Sequence, residues 1–160
     1  MAVPLINMTF KPTLAQVRTR FTAMHKDLRD RRDPNARVRV FLDGWVQRNF
    51  RTEGGKVGGW KPLAAGGRWK TYKDGRRVLD PSAKILSDTG MLKHSFLTFE
   101  WNNGNIVGIG SDVPYSEKHE YGEGNVPQRR MLPRRSEIIE DVRRIFDQFV
   151  GKIIKRKGLY

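Results

Sequence analysis

Apolar residues fall at alternating three- and four-residue steps in three separate stretches of this chain, and a helix is the regular conformation that gathers such a series onto one face. The first series is Leu14, Val17, Phe21, Met24 and Leu28. Thr13 is placed to cap it, and Arg18, Arg20, Lys26 and Arg29 occupy the other side. The second series is Val38, Phe41, Leu42, Trp45, Val46 and Phe50. Asp33-Pro34 precedes it, with the Asp as N-cap and the Pro at the first helical position, where a missing N–H costs nothing. Together these two predict an N-terminal helical hairpin. The third series, Ile138, Ile139, Val142, Ile145, Phe146, Phe149, Val150 and Ile153, predicts an amphipathic helix over 136–157. Ser136 is its expected cap, and Lys152, Lys155, Arg156 and Lys157 favour its C-terminal end.

Between the second and third series the periodicity lapses. Over 51–81, glycine pairs such as Gly54-Gly55 and Gly66-Gly67 alternate with Lys56, Lys61, Arg68, Lys70, Lys73, Arg76 and Arg77. This reads as a long, mobile, basic loop that only Trp60, Leu63, Trp69, Tyr72 and Val78 can anchor. A loop of that length inside a compact domain is usually functional or orders on binding. Asp88 then stands where the N-cap of a short helix through His94 belongs. Ser95–Trp101 is β-rich, with Leu97, Phe99 and Trp101 on one face, and Asn102-Asn103-Gly104-Asn105 is a hairpin turn leading into a return strand over Ile106–Gly110. Tyr115–Glu120 suggests a short helix or turn, and Gly122–Pro133 is irregular. The expectation is one α+β domain over 1–160: an extended lead-in over 1–12, a helical hairpin, the basic loop, a small antiparallel sheet and a C-terminal helix.

Charge restricts the partners. The 160 residues include 31 Lys+Arg against 17 Asp+Glu, a net +14, which opposes self-association unless a polyanion or an acidic neighbour offsets it. Without cysteine there is no disulfide framework, thiol nucleophile or cysteine zinc site. The first residues lack the basic and apolar regions of a signal peptide, and no apolar run is long enough to span a bilayer. A soluble intracellular protein without membrane contact is expected.

Candidate chemistry is sparse. Asp88-Thr89-Gly90 matches the aspartic-protease triplet in letters, but that reaction needs two carboxylates sharing a proton, and the surrounding residues suit a helix start. His25, His94 and His119 have no metal-ligand spacing. Asp112, Glu117, Glu120 and Glu123 form a loose acidic group of the kind a magnesium nuclease uses, with nothing to fix its geometry. Trp60, Trp69 and Tyr72, interleaved with the cations of the loop, resemble a nucleic-acid stacking platform; docking on the domain or contact with another protein is the favoured explanation of them.

Four elements, read in order, carry a resemblance. They are Gly59-Trp60-Lys61-Pro62-Leu63; Ile85-Leu86-Ser87-Asp88-Thr89-Gly90-Met91-Leu92-Lys93-His94-Ser95; Gly110 through Tyr115 and His119 to Gly122; and Pro127-Gln128-Arg129-Arg130-Met131-Leu132. Over about residues 40–150 this pattern resembles the phage virion morphogenesis, or tail completion, family of Mu-like tailed phages. Ser116 and Arg130 depart from the alanine and proline usual there. The resemblance implies a structural virion protein, a ring-forming component of the neck or tail completion region, assembled in the host cytoplasm and needed for head–tail joining. It implies no enzymatic activity, cofactor or metal, and partners that are copies of the chain and other neck and tail proteins. It also implies that Asp88 caps a helix, that Gly90 and Gly110 relieve crowding, and that Tyr115 and His119 pack beneath the following loop. Arg129 and Arg130 are then expected to contact a neighbouring subunit, with Arg134 and Arg135 and the loop residues Lys70, Lys73, Arg76 and Arg77 as further subunit or DNA contacts. The alternatives are a sequence-independent DNA-binding protein and, further off, a protease or nuclease.

Overall fold

Thr13 opens the first helix as expected: its hydroxyl accepts the N–H of Gln16, and the Gln16 side chain accepts the N–H of Thr13 in return. This reciprocal cap satisfies two donors that the helix α1 (Leu14–Arg29) cannot satisfy internally. The computed structural model describes residues 12–158, so the lead-in expected over 1–12 lies outside the described residues except for Pro12. The second helix, α2 (Arg32–Arg51), starts earlier than Asp33-Pro34 predicts. Asp30 takes the capping part, its carboxylate accepting the Arg32 N–H, and Pro34 sits at the third helical position. An N–H there has no intrahelical partner either, so the proline is tolerated without marking the first residue.

The α+β architecture is built on α2, which buries Val38, Leu42, Trp45, Val46 and Phe50. The antiparallel pair β3 (Phe96–Trp101) and β4 (Ile106–Ser111) packs against it, as does α5 (Arg135–Arg156), and α1 lies on α5. The main core joins Trp45, Val46 and Phe50 to Trp60, Ile85, Leu92, Phe96 and Met131. The 102–105 turn behaves as predicted, with Asn102, Asn103 and Gly104 all at positive φ. Leu97, Phe99 and Trp101 do share a face of β3, and it is the outward one: Leu97 is 64% and Trp101 55% exposed. Register sets Phe99 opposite Gly108, whose missing Cβ leaves room for the Phe99 ring; a Cβ there would stand 2.3 Å from Phe99 Cε2.

The stretch read as an unstructured loop holds a second hairpin, β1 (Arg68–Thr71) with β2 (Arg77–Asp80). The cause of the difference is exposure. Nearly every residue from Trp69 to Val78 faces solvent, so neither strand needs an apolar face and no alternation marks them. The turn signal Asp74-Gly75 is present, with Asp74 accepting the Arg76 N–H and Gly75 at positive φ.

Two further caps differ from expectation. The short helix α3 (Met91–Ser95) is preceded by Gly90 in the left-handed region, and Asp88 pairs instead with Arg68 at 2.6 Å. Thr89 Oγ1 accepts the Met91 N–H, which leaves Asp88 free to turn outward. At α5 the cap position is Arg134 rather than Ser136, because Glu137 reaches back to the Arg134 N–H at 2.8 Å. The small helix α4 (Ser116–Tyr121) completes the fold. Among the described residues no helix is long and apolar enough to cross a membrane.

Candidate functional site

The end of α2 dictates where Trp60 goes. Gly54 adopts φ 87° and returns its N–H to the Asn49 carbonyl, and the Trp60 N–H bonds the Glu53 carbonyl at 2.8 Å. The bare Cα of Gly54 lies under the indole, where a Cβ would come within 2.4 Å of Trp60 Cδ1. The indole is thereby set edge-on to Phe50, and its Nε1 donates to the Arg130 carbonyl at 2.8 Å. The Asn49 amide donates to the same carbonyl at 3.0 Å.

From this node the four sequence elements knit together. The Arg129 N–H donates to the His119 carbonyl at 2.7 Å, and its guanidinium donates to the carbonyls of Lys61 at 3.1 Å and Pro62 at 3.4 Å. Glu120 turns inward and accepts the N–H groups of Met131 and Leu132. Ser95 and Ser111 share a hydroxyl–hydroxyl bond that ties α3 to the end of β4. Gly122, at φ 77°, lets the chain turn back against Gln128. Pro127 is half-buried in the segment that follows.

The convergence leaves a cavity of about 280 Å³. Leu63, Leu86 and Leu92 supply apolar wall, the Arg68–Asp88 pair and Thr89 stand on one side, and Tyr115, His119 and Arg129 on another. Leu86 holds φ 57°, an unusual conformation for a leucine, where the chain enters the Asp88 turn. Tyr115 and His119 meet edge to face at 6.3 Å. Arg129 is only 7% exposed, and among the described residues no carboxylate lies within ion-pair distance of it. Burial pushes its guanidinium below the ordinary value. Burial also lowers His119, and the charge of Arg129 adds to the effect. His119 Nδ1 is buried and has no hydrogen-bond partner among the described residues.

Thus Leu63, Leu86, Asp88, Thr89, Gly90, Leu92, Tyr115, His119 and Arg129 line one cavity, while Trp60, Pro62 and Ser95 hold its surroundings. Gly110 lies apart on β4, beneath Phe99. Arg129 and Arg130, expected at a subunit contact, are internal: Arg129 is buried, and Arg130 forms a two-pronged bond with Glu137. Glu137 is held down to about 2, chiefly by that guanidinium. Arg134 and Arg135 are exposed at the start of α5. On the β1–β2 hairpin, Lys70 pairs with Asp80, Arg76 pairs with Asp74 and lies over Tyr72, and Arg77 lies over Trp69. Lys73 is exposed at the turn.

Sequence reasoning missed two contributors. Asn49 is polar amid the apolar stripe of α2, a signal that it serves a buried bond. Arg68 joins the cavity only through the hairpin that periodicity did not reveal. The acidic residues do not assemble: Glu120 is engaged with backbone and Glu123 with Lys118, and no group of three potential metal ligands occurs among the described residues. No family model, curated protein or solved structure matches the chain.

Proposed function

We propose that this chain is a structural subunit of a tailed-phage virion, a ring-forming component of the neck or tail completion region that serves head–tail joining. The four sequence elements similar to the tail completion family motivate the reading. The observation that carries it is the outward apolar face of β3–β4, where Leu97, Phe99, Trp101 and Ile106 lie together in solvent. Contiguous exposed apolar surface of this kind marks an interaction site. A single-sided patch that meets a different surface on the next copy makes a head-to-tail contact, and such contacts close into rings when the rotation allows.

The test is assembly. The full chain is expected to sediment as a closed oligomer, with rings in negative stain. Leu97→Lys with Trp101→Lys should yield a folded monomer with a modestly lower melting temperature, since both side chains are more than half exposed and the main intrachain loss is the edge contact of Trp101 with Phe99. Monomers at every concentration, or infectious particles from phage lacking the chain, would remove this reading.

A second reading, sequence-independent DNA binding, is favoured by the β1–β2 hairpin, which carries Lys70, Lys73, Arg76 and Arg77 beside the half-exposed Trp69 and Tyr72. It requires duplex affinity that falls steeply with salt in a chain that stays monomeric. Salt titration run beside sedimentation separates the two.

A further inference from the structure

We infer that the cavity between the Asp88–Leu92 turn and the Tyr115–His119 segment is a binding site for a carboxylate. The inference stands on the cavity alone and holds for a monomer and a ring alike.

The first ground is Arg129. It is a buried cation with no carboxylate within ion-pair distance among the described residues, Asp88 across the cavity being paired with Arg68, and its hydrogen bonds go to the two carbonyls of Lys61 and Pro62. Buried charges in proteins are ordinarily paired. Those carbonyls engage Nε and Nη2, which fixes the guanidinium plane, and Nη1 makes no hydrogen bond to any described residue. A fixed planar fork with an unused corner on a cavity wall is the geometry that receives a carboxylate.

The second ground is the balance of the wall. Thr89 Oγ1 accepts from Met91 but has its own proton to donate, and the Tyr115 hydroxyl makes no hydrogen bond among the described residues. The one lining carboxylate, Asp88, is already engaged by Arg68 at 2.6 Å. Thr89, Tyr115 and the free corner of Arg129 can each present a proton to one guest, and the unpartnered His119 Nδ1 can do so in its Nδ1–H tautomer, which suits an acceptor such as a carboxylate. Leu63, Leu86 and Leu92 give a short alkyl stem a place to lie. The same chemistry is offered by a free short-chain acid and by an acidic side chain of a polypeptide.

The experiment titrates the full-length chain with butyrate, acetyl-glutamate amide, acetyl-glutamine amide and chloride at constant ionic strength, read by amide chemical shifts. Saturable shifts at Gly90, Leu92 and His119 are expected with the two carboxylates and not with the glutamine compound or chloride. Tighter binding of the glutamate compound than of butyrate assigns the site to a polypeptide side chain; the reverse assigns it to a free acid. Tyr115→Phe, which breaks no internal bond, should weaken carboxylate binding about two- to tenfold, the worth of one hydrogen bond, without moving the melting temperature. Arg129→Gln should abolish binding; should it fail to fold, Tyr115→Phe decides. Absence of saturable shifts in the wild-type chain, equal shifts with chloride, or unchanged affinity in Tyr115→Phe would overturn the inference.

Discussion

Glu120 shows how a single side chain serves structure at an electrostatic cost. Its Oε2 accepts from Met131 at 2.6 Å and from Leu132 at 3.2 Å, which fixes the irregular segment leading to α5. Burial raises its pKa, opposed by those amide bonds and by Arg130 and Arg134. An acid whose folded value lies above its unfolded one loses stability as pH rises from the unfolded value through the folded one, so the charge is unfavourable at neutral pH. Glu120→Gln keeps an oxygen for the two amides and should be as stable as the parent or more so in urea at pH 7. Glu120→Ala leaves both donors unpaired and should lose about 1–3 kcal/mol. Equal losses in both variants would mean that the charge itself holds the segment. Residues of this kind are poorly legible in the sequence. Trp60 and Met131 read as isolated apolar positions in irregular stretches, and what makes them core is a bond to a carbonyl or carboxylate seventy or eleven residues away. No local spacing announces such a partner.

Elements were legible where one face is buried. The stripes of α1, α2 and α5 are plain in the sequence, and all three helices form. Their burial is unequal, which the stripes do not reveal. α2 buries eight residues and α1 none, and Leu14 and Phe21 on the α1 stripe remain exposed. α1 is fastened to the end of α5 by Asp27 with Arg156 and Lys157, and by Arg20 donating to the Gly158 carbonyl. The Arg156 arm is exposed and the Lys157 arm only partly buried, so these pairs hold α1 weakly. Amides of α1 are therefore expected to exchange with deuterium far faster than those of α2, through local opening that leaves the rest intact. Matched protection in both helices would show that α1 opens only with the whole fold. The β1–β2 hairpin was illegible for the opposite reason: a strand pair solvated on both sides places no demand on the order of its residues.

At the scale of the whole molecule, the net charge of +14 makes every carboxylate count. Glu137 has the largest role, because Arg130 holds it near 2 against an ordinary 4.5. A depressed acid contributes stability above its unfolded value and loses it as pH falls toward its folded one. Asp30 and Asp80, held to about 2 by Arg32 and Lys70, act in the same direction, and the exposure of Asp30 and of the lysine that pairs with Asp80 weakens both pairs. Stability is thus expected to drop between about pH 4.5 and 2, while protonation adds further positive charge. Glu137→Gln should be less stable at neutral pH and show a shallower acid decline in melting temperature; an acid slope identical to the parent's would rule out the pair as its source. The fastening of α1 has one more consequence, for handling the protein. The last turn of α5 is a latch, and Gly158 is part of its catch. A label or fusion joined directly behind it tugs on the helix at the far end of the chain, so a flexible spacer belongs between them if the first helix is to stay seated.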